Sequence, residues 1–312
     1  MTAAFVFPGQ GAQAIGMGKS LAESYPAAKA VFDEVDDALS QDLSGLIWSG
    51  DIAELTLTEN AQPALMATSM AAMRALEAEG VGITDAAFVA GHSLGEYSAL
   101  CAASALTLSD TARLLKTRGK AMQQAVPVGV GAMAALLGLD FEAASTVADE
   151  AAQGQVCQAA NDNDPGQVVV SGHTEAVNRA LDIAKAHGAK RAVLLPVSAP
   201  FHCALMAPAA EVMTEALANV DIKAPKIPLV ANVLAAKVSE PDQIRELLIA
   251  QVTGSVRWRE SVGYMVGEGV DRFYEIGAGK ALCGMIRRIH REATSVAVGT
   301  PEAVITAVND MN

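Results

Sequence analysis

The stretch AAFVAGHSLGEYSAL (residues 86–100) places a serine between two glycines, with one apolar run before it and another after it. Residues 86–90 are typical of a parallel strand that is covered on both faces, and the residues after Ser93 are typical of a helix. A GxSxG sequence between a strand and a helix predicts a nucleophile elbow, a tight turn with the serine at its tip. An ordinary strand-to-helix turn is the alternative interpretation.

Apolar runs alternate with helical patterns on both sides of this stretch, which predicts an α/β layer fold. The middle of the chain differs, because its order of elements is β-α-β-β-α-β, the order of a ferredoxin-like unit. Within it, NDNDPG (161–166) is expected to be the turn between two strands. We therefore predict a discontinuous α/β domain formed by residues 1–127 and 199–312, with residues 128–198 inserted as a small domain.

The composition excludes several classes of function. The chain has 312 residues, of which 51% are hydrophobic, and a formal net charge of −13. This charge argues against broad nucleic-acid binding, which depends on lysine and arginine. The N-terminus has no basic region before its apolar residues, and the longest nearly uncharged apolar stretch (128–139) is shorter than the about 20 residues that span a bilayer. We expect a soluble, cytoplasmic, monomeric protein without a membrane partner.

Each candidate motif for a metal or cofactor lacks a feature that binding requires. The four cysteines lie far apart and lack a CxxC spacing, so we expect reduced thiols and neither a metal site nor disulfides. The sequence GQGAQA (9–14) resembles a dinucleotide fingerprint, but a helical pattern follows it where a second strand with an acidic end is required. The sequence IGAGKAL (276–282) lacks the first glycine and the hydroxyl residue of a phosphate loop.

A nucleophilic serine needs a base, and His202 is the best candidate among the five histidines. It follows a strand and begins a helix, and such junctions gather at one end of a parallel sheet. A histidine that only packs in the core is the alternative. His92 is expected to support the elbow, because neighbouring side chains diverge at a turn, and the remaining three histidines are expected at the surface. No aspartate downstream is an obvious third member, so a backbone carbonyl is a possible partner of the imidazole.

Arg118 is predicted on the apolar face of a helix that begins near Ser109. Leucine, alanine and methionine residues share this face by their spacing of three and four (Leu114, Leu115, Ala121 and Met122). A buried guanidinium requires an anion, because an unpaired buried charge is very costly. The anion is either an internal carboxylate or a substrate carboxylate, which arginine binds through two parallel hydrogen bonds.

Five motifs taken together resemble those of the malonyl-CoA:acyl carrier protein transacylases of fatty acid synthesis. They are FPGQGAQ (7–13), GHSLGEYSAL (91–100), TRGKAMQ (117–123), NDNDPGQVVVSG (161–172) and PFHCALM (200–206). They occur in the order and spacing of the family, and the match covers essentially the whole chain. The resemblance implies a hydrolase-like large domain with a parallel sheet core and an inserted ferredoxin-like small domain, in agreement with the order of elements.

The resemblance also implies a reaction. Ser93 would carry the malonyl group as an ester, and His202 would act as general base and then as general acid. Arg118 would bind the free carboxylate of the malonyl group. The substrates would be malonyl-CoA and the phosphopantetheine thiol of acyl carrier protein, with no metal and no tightly bound cofactor.

Four further residues receive roles. The amide of Leu94, the residue after the serine, is the expected oxyanion donor of an elbow, and the resemblance adds the amide of Gln10. Gln251 matches the position whose backbone carbonyl orients the histidine in the family. Phe201, before His202, resembles the malonyl-selective pattern of related acyltransferase domains.

Two other functions use parts of the same pattern. A serine thioesterase or esterase would pass the acyl group to water and would have no need of Arg118. A non-catalytic scaffold for carrier proteins would have no need of Ser93 and His202. The pathway, fatty acid or polyketide synthesis, stays open. An acidic carrier protein would need a local basic patch, and two clusters are candidates: Lys185, Lys190 and Arg191, or Arg287, Arg288 and Arg291.

Overall fold

Ten strands form two separate sheets within residues 2–197 and 199–311, which the computed structural model describes. In chain order the strands are β1 (Ala3–Phe7), β2 (Phe88–Gly91), β3 (Gly131–Leu137), β4 (Cys157–Asp164), β5 (Gln167–His173), β6 (Arg191–Leu194), β7 (Leu229–Val230), β8 (Lys237–Val238), β9 (Arg272–Ile276) and β10 (Thr294–Val298).

The larger sheet has six strands in the order β10-β9-β1-β2-β7-β8. The first five are parallel, and only β8 runs antiparallel to its neighbour β7. All residues of β1 and β2 are buried, because helices cover both faces of a parallel sheet. The prediction of a parallel α/β core is therefore confirmed, and the serine turn lies at the carboxyl end of a central strand.

The smaller sheet has four antiparallel strands in the order β4-β5-β3-β6. Together with two helices it has the predicted β-α-β-β-α-β order, and the pairing is that of a ferredoxin-like unit. A separate apolar core lies between this sheet and its helices. The predicted domain limits at 127/128 and 198/199 stay a prediction, since the sheets alone do not fix a boundary.

The helices of the described residues cover these sheets. They are α1 (Lys19–Ser24), α2 (Pro26–Leu39), α3 (Leu43–Ser49), α4 (Ile52–Thr56), α5 (Thr58–Ala78), α6 (Gly95–Ala102), α7 (Leu108–Gln124), α8 (Phe141–Ala152), α9 (Thr174–Ala186), α10 (Ala207–Ala218), α11 (Pro241–Thr253), α12 (Trp258–Gly267), α13 (Ala281–Ile289) and α14 (Pro301–Met311). Among the described residues, no helix has both the length and the apolar character that crossing a membrane requires.

The helix with Arg118 begins at Leu108, next to the expected start near Ser109, but Ser109 is not its N-cap, as its residue type suggested. Thr107 is the N-cap, because its hydroxyl accepts a hydrogen bond from the amide of Asp110 at 3.1 Å. Ser109 lies in the first turn, and its hydroxyl donates to Glu34 at 2.8 Å instead. The predicted apolar face is nevertheless correct, since Arg118 is buried on it together with Leu114 and the other apolar residues of the face.

The expectation that NDNDPG is a turn was wrong for its first four residues. Strand β4 continues through Asp164, and only Pro165 and Gly166 turn the chain. The amide of Asp162 donates to the carbonyl of Val256 at 2.9 Å, so a segment far along the chain pairs with this part of the strand. Pairing and ion pairs with distant residues outweigh the turn preference of asparagine and aspartate.

Candidate active site

Ser93 occupies the tip of a strained turn between β2 and α6. Its φ of 53° lies in the left-handed region, which non-glycine residues rarely adopt. The flanking glycines permit the tight turn, because a Cβ at Gly91 would overlap the backbone of Gly95, and a Cβ at Gly95 would overlap the carbonyl of Phe7. This is the geometry of a nucleophile elbow, in which strain exposes the serine hydroxyl.

Asn232, two residues after β7, stabilises the elbow through two hydrogen bonds. Its side-chain oxygen accepts a hydrogen bond from the amide of Ser93 at 2.8 Å, and its side-chain nitrogen donates to the carbonyl of Gly91 at 2.7 Å. Asn232 is buried, so both bonds are shielded from water. They fix the two residues of the turn whose conformation is strained or crowded.

His202 lies beside the serine. Its Nε2 is 2.7 Å from the hydroxyl oxygen of Ser93, and its Nδ1 is 2.9 Å from the backbone carbonyl of Gln251. Because a carbonyl only accepts, Nδ1 carries the proton and Nε2 is free to accept one from the serine. Burial, followed by the positive charge of Arg118, lowers the pKa of His202 to about 3, so the imidazole is neutral at pH 7.

Arg118 completes this group of side chains and is only 1% exposed. Its Nη2 donates to the hydroxyl of Ser93 at 3.1 Å and to the side-chain oxygen of Gln251 at 2.9 Å. Its Nη1 donates to the side-chain oxygen of Gln62 at 2.9 Å, and its guanidinium lies 5.6 Å from the ring centre of Tyr97. Within residues 2–197 and 199–311, no carboxylate forms an ion pair with Arg118.

Two amides next to the serine lack acceptors. In the described part of the chain, the backbone amides of Gln10 and Leu94 donate no hydrogen bond to another residue. Leu94 precedes the first residue of α6, so its amide belongs to the positive end of that helix. Gly9 packs against His92, which brings the chain at Gln10 close to the elbow. Free amides at a helix start can stabilise a developing negative charge.

A cavity of about 590 Å³ opens over these residues, and Gln10, Ser93, Arg118, Phe201 and His202 line it. Its opposite wall comes from the smaller sheet and the segment after it, through residues that include Met133, Asn161, Asn163, Val169 and Leu195. The cavity therefore lies between the two sheets, with the serine hydroxyl, the imidazole and the guanidinium facing one space.

The structure thus brings together Ser93, His202, Arg118 and Gln251, which were predicted from separate segments. His92 lies at the elbow and lines the cavity; its Nε2 is 2.8 Å from the side-chain oxygen of Asn163, and its ring packs near Trp258. Of the histidines predicted at the surface, His173 accepts a backbone hydrogen bond and His187 lies 3.1 Å from Glu150. Neither reaches the cavity.

Sequence reasoning missed Gln62, Asn232 and Glu96. Gln62 is a polar residue on the buried helix α5, and that position was a signal of a specific partner. Asn232 follows a strand of the parallel sheet at the edge where sites form. Glu96 lies in the quoted stretch, but nothing in its spacing indicates that its side chain is completely buried.

The four cysteines are free and buried. Among the described residues, no group of three or more histidine, cysteine, aspartate or glutamate side chains is arranged to hold a metal ion.

Comparison with known proteins places the chain in a family. Residues 4–306 match the acyl transferase domain family. The malonyl CoA-acyl carrier protein transacylase of Bacillus subtilis (strain 168) is 48% identical over 309 residues, covering 99% of this chain and 96% of that protein. The crystal structure of the acyl-carrier-protein-S-malonyltransferase from Bartonella henselae has a TM-score of 0.97 and 54% identity, and covers 100% of this chain and 99% of that one.

A third similar structure contains a partner. It is a malonyl-transacylase in complex with its type II polyketide acyl-carrier protein, with a TM-score of 0.96, 42% identity, and coverage of 99% of this chain and 100% of that chain. The sequence matches and the fold similarity both extend over nearly the full length of the chain. The chain belongs to the acyl transferase domain family.

Proposed function

We propose that the protein is an [acyl-carrier-protein] S-malonyltransferase, which moves the malonyl group of malonyl-CoA to the phosphopantetheine thiol of acyl carrier protein. The observation that carries the proposal is the guanidinium of Arg118, buried 3.1 Å from the hydroxyl of Ser93 and without a carboxylate partner in the described chain. A malonyl group has a free carboxylate at the end opposite its thioester. A guanidinium without an ion-pair partner can bind that carboxylate through charge-assisted hydrogen bonds. The relatives with matching names support the same activity.

In the first half-reaction, His202 takes the proton of Ser93 through Nε2 while the serine oxygen attacks the thioester carbonyl. The amides of Gln10 and Leu94 bind the oxyanion that forms, and losing one such donor typically costs about 2.7–4 kcal/mol of transition-state stabilisation. The tetrahedral intermediate collapses to the malonyl ester of Ser93. The proton passes from His202 to the sulfur of coenzyme A, which leaves.

In the second half-reaction, His202 takes the proton of the phosphopantetheine thiol, and the sulfur attacks the malonyl ester. Collapse returns the proton to Ser93 and releases malonyl-carrier protein. The carbonyl of Gln251 stabilises the imidazolium in both halves by accepting the Nδ1 hydrogen bond. Phe201, buried against the cavity, limits the size of the acyl group that fits beside Arg118.

The carrier protein is expected to dock near α13. Three residues of this helix, Ala281, Leu282 and Met285, line the cavity, and the basic cluster of Arg287, Arg288 and Arg291 begins on the same helix. Each cluster has one paired residue, since Lys185 pairs with Asp182 at 3.0 Å and Arg288 pairs with Asp164 at 2.7 Å, so the helix that lines the cavity is what favours the second cluster. Reversal of charge by Arg287→Glu should raise the KM for carrier protein, with Arg191→Glu as the matched control. An equal effect of both variants would contradict this docking site.

The proposal places the enzyme in the cytoplasm, as a monomer that supplies extender units for fatty acid synthesis. The similar structure bound to a polyketide carrier protein favours a second candidate pathway with the same chemistry. Assays with one fatty acid carrier protein and one polyketide carrier protein distinguish the two. A kcat/KM in favour of the first supports the proposal, and the reverse order moves the enzyme to polyketide synthesis.

Mass spectrometry tests the proposed intermediate. Wild-type protein mixed with malonyl-CoA should gain one malonyl group on Ser93 and lose it when phosphopantetheinylated carrier protein is added. The Ser93→Ala variant should gain none. A wild-type adduct that disappears equally fast in buffer alone would indicate a thioesterase, and the absence of any adduct would indicate a non-catalytic scaffold.

A further inference from the structure

Glu96 is a completely buried carboxylate one layer behind the catalytic group. It lies in the first turn of α6, three residues after Ser93. Its Oε2 accepts a hydrogen bond from the backbone amide of Asn232 at 2.9 Å and another from the side-chain nitrogen of Gln251 at 3.0 Å. Its Oε1 has no hydrogen-bond partner among the described residues. A buried carboxylate with one oxygen unpartnered is costly, which calls for a role beyond packing.

The side chain of Gln251 connects this carboxylate to Arg118. Its nitrogen faces Glu96 Oε2 and also the backbone carbonyl of Ser93 at 3.0 Å, and both are acceptors. The amide can therefore have only one orientation, with the side-chain oxygen toward Arg118 at 2.9 Å. The backbone carbonyl of the same Gln251 accepts from His202, so one residue links the carboxylate to both functional side chains.

Because an amide that flipped would turn its nitrogen toward the guanidinium, Glu96 also excludes a repulsive arrangement. Arg118 has no ion pair with a described residue, and Glu96 is the carboxylate to which it is joined through a single bridging amide. We propose that Glu96 is a positioning residue of the carboxylate-binding site: it orients Gln251 and Arg118, and it is the built-in counter-charge that a substrate carboxylate joins.

The inference rests on the proposed function, because it concerns how Arg118 receives a malonyl group. Burial raises the pKa of Glu96 to about 7, although its hydrogen bonds from Asn232 and Gln251 and the charge of Arg118 act in the opposite direction. The other titratable groups nearby carry no charge at pH 7. Burial raises the pKa of Tyr97 to about 12, and burial lowers the pKa of both His202 and His92.

A malonyl carboxylate at Arg118 adds a second negative charge to this group. Like charges favour the protonated form of a carboxyl group, so the pKa of Glu96 rises when substrate binds. Binding therefore takes up a proton near neutral pH. The sign follows for affinity as well: malonyl-CoA binds more weakly as the pH rises through the pKa of Glu96 in the free enzyme.

Calorimetry measures this proton directly. Malonyl-CoA is titrated into the Ser93→Ala variant at pH 7.5 in two buffers that differ in ionisation enthalpy, and a titration with coenzyme A gives the contribution of the coenzyme alone. We expect a net uptake of a fraction of a proton per malonyl group in Ser93→Ala and none in Ser93→Ala/Glu96→Gln. The same uptake in both variants, or none in either, would overturn the inference.

The orienting role is tested separately, by the rate of malonyl loading in Glu96 variants that keep Ser93. Glu96→Gln keeps an oxygen acceptor for Gln251, whereas Glu96→Ala leaves buried donors unpaired, so the alanine variant should lose roughly tenfold or more in kcat/KM for malonyl loading. The glutamine variant should match wild type at pH 5.5, where Glu96 is protonated. Equal losses in both variants at that pH would contradict the orienting role.

Two results distinguish a failure of the proposed function from a failure of the inference. If Ser93→Ala does not bind malonyl-CoA at all, the proposed function and the inference both fail; if it binds without a proton that depends on Glu96, the inference fails alone. Should the glutamine variants not fold, the uptake by Ser93→Ala measured at pH 5.5, 7.5 and 9 decides. The inference requires a maximum at the middle pH, and a flat profile overturns it.

Discussion

The elbow and the end of strand β4 both bury charged side chains, but they treat the charges differently. At the end of β4, Asp162 is completely buried and forms an ion pair with Arg259: its Oδ1 accepts a hydrogen bond from Nε at 3.0 Å, and its Oδ2 lies 2.8 Å from Nη2. Asp164 pairs with Arg288 at 2.7 Å in the same way. At the elbow, Arg118 is buried among amide oxygens and a hydroxyl, with no carboxylate of the described chain in an ion pair with it.

The difference separates a structural ion pair from a binding site. The pairs at β4 join the smaller sheet to helices α12 and α13 of the larger part, and each buried aspartate has its cation. At the elbow, Glu96 reaches Arg118 only through the side-chain amide of Gln251, so the desolvation cost of the guanidinium is only partly offset until an anionic ligand binds. An anionic substrate can therefore pair with Arg118 at the elbow, whereas the buried charges at the end of β4 are already paired within the chain.

The largest expected effect comes from removing the open cation. Arg118→Ala should lower kcat/KM for malonyl loading by about 30- to 5,000-fold, the equivalent of about 2–5 kcal/mol for one partner of a buried charge pair. Loading from acetyl-CoA, which lacks the carboxylate, should change far less. Single-turnover loading with both thioesters measures the ratio. An unchanged preference for malonyl-CoA would mean that Arg118 does not bind the carboxylate.

The paired arginine should behave in the opposite way. Arg259→Ala leaves Asp162 buried without its cation and should lower the free energy of unfolding by about 2 kcal/mol, less than for a fully buried pair because Arg259 is 36% exposed. The malonyl preference of the folded enzyme should remain. Urea unfolding and the same loading assay check both. A loss of preference as large as that of Arg118→Ala would erase the distinction between the two regions.

The smallest effect is a change in pH dependence. Burial, and then the charge of Arg118, lowers the pKa of His202, so Arg118→Gln should raise that pKa. Because only the neutral imidazole accepts the serine proton, loading from acetyl-CoA should begin to fall at a higher pH than in wild type as the solution is acidified. Rates measured from pH 8 down to pH 3, as far as the enzyme stays folded, give the shift, and Arg259→Ala is the control. Superimposable profiles would count against this coupling.

Sequence alone was sufficient for the elements that depend on local pattern. The apolar run before Ser93, the two glycines and the helix after it are adjacent in the chain, so their geometry follows from a few residues. The buried face of α7 was predicted in the same way, because helical spacing puts Arg118 among leucines.

Contacts between distant segments lay beyond the sequence pattern. The strand at residues 161–164 exists because Val256 and two arginines pair with it, and none of these partners is near it in sequence. The carbonyl of Gln251 could be named only from a family resemblance, since every residue has a carbonyl. Glu96, Asn232 and Gln251 form one network only once three elements of the fold have met.

The structure of the malonyl-enzyme intermediate tests the central claim most directly. In crystals of the enzyme trapped with malonyl on Ser93, the account predicts that the free carboxylate lies within about 3 Å of the Arg118 guanidinium nitrogens, the distance of a charge-assisted hydrogen bond. A carboxylate that points into solvent, or that binds another cation while Arg118 keeps its present partners, would contradict it.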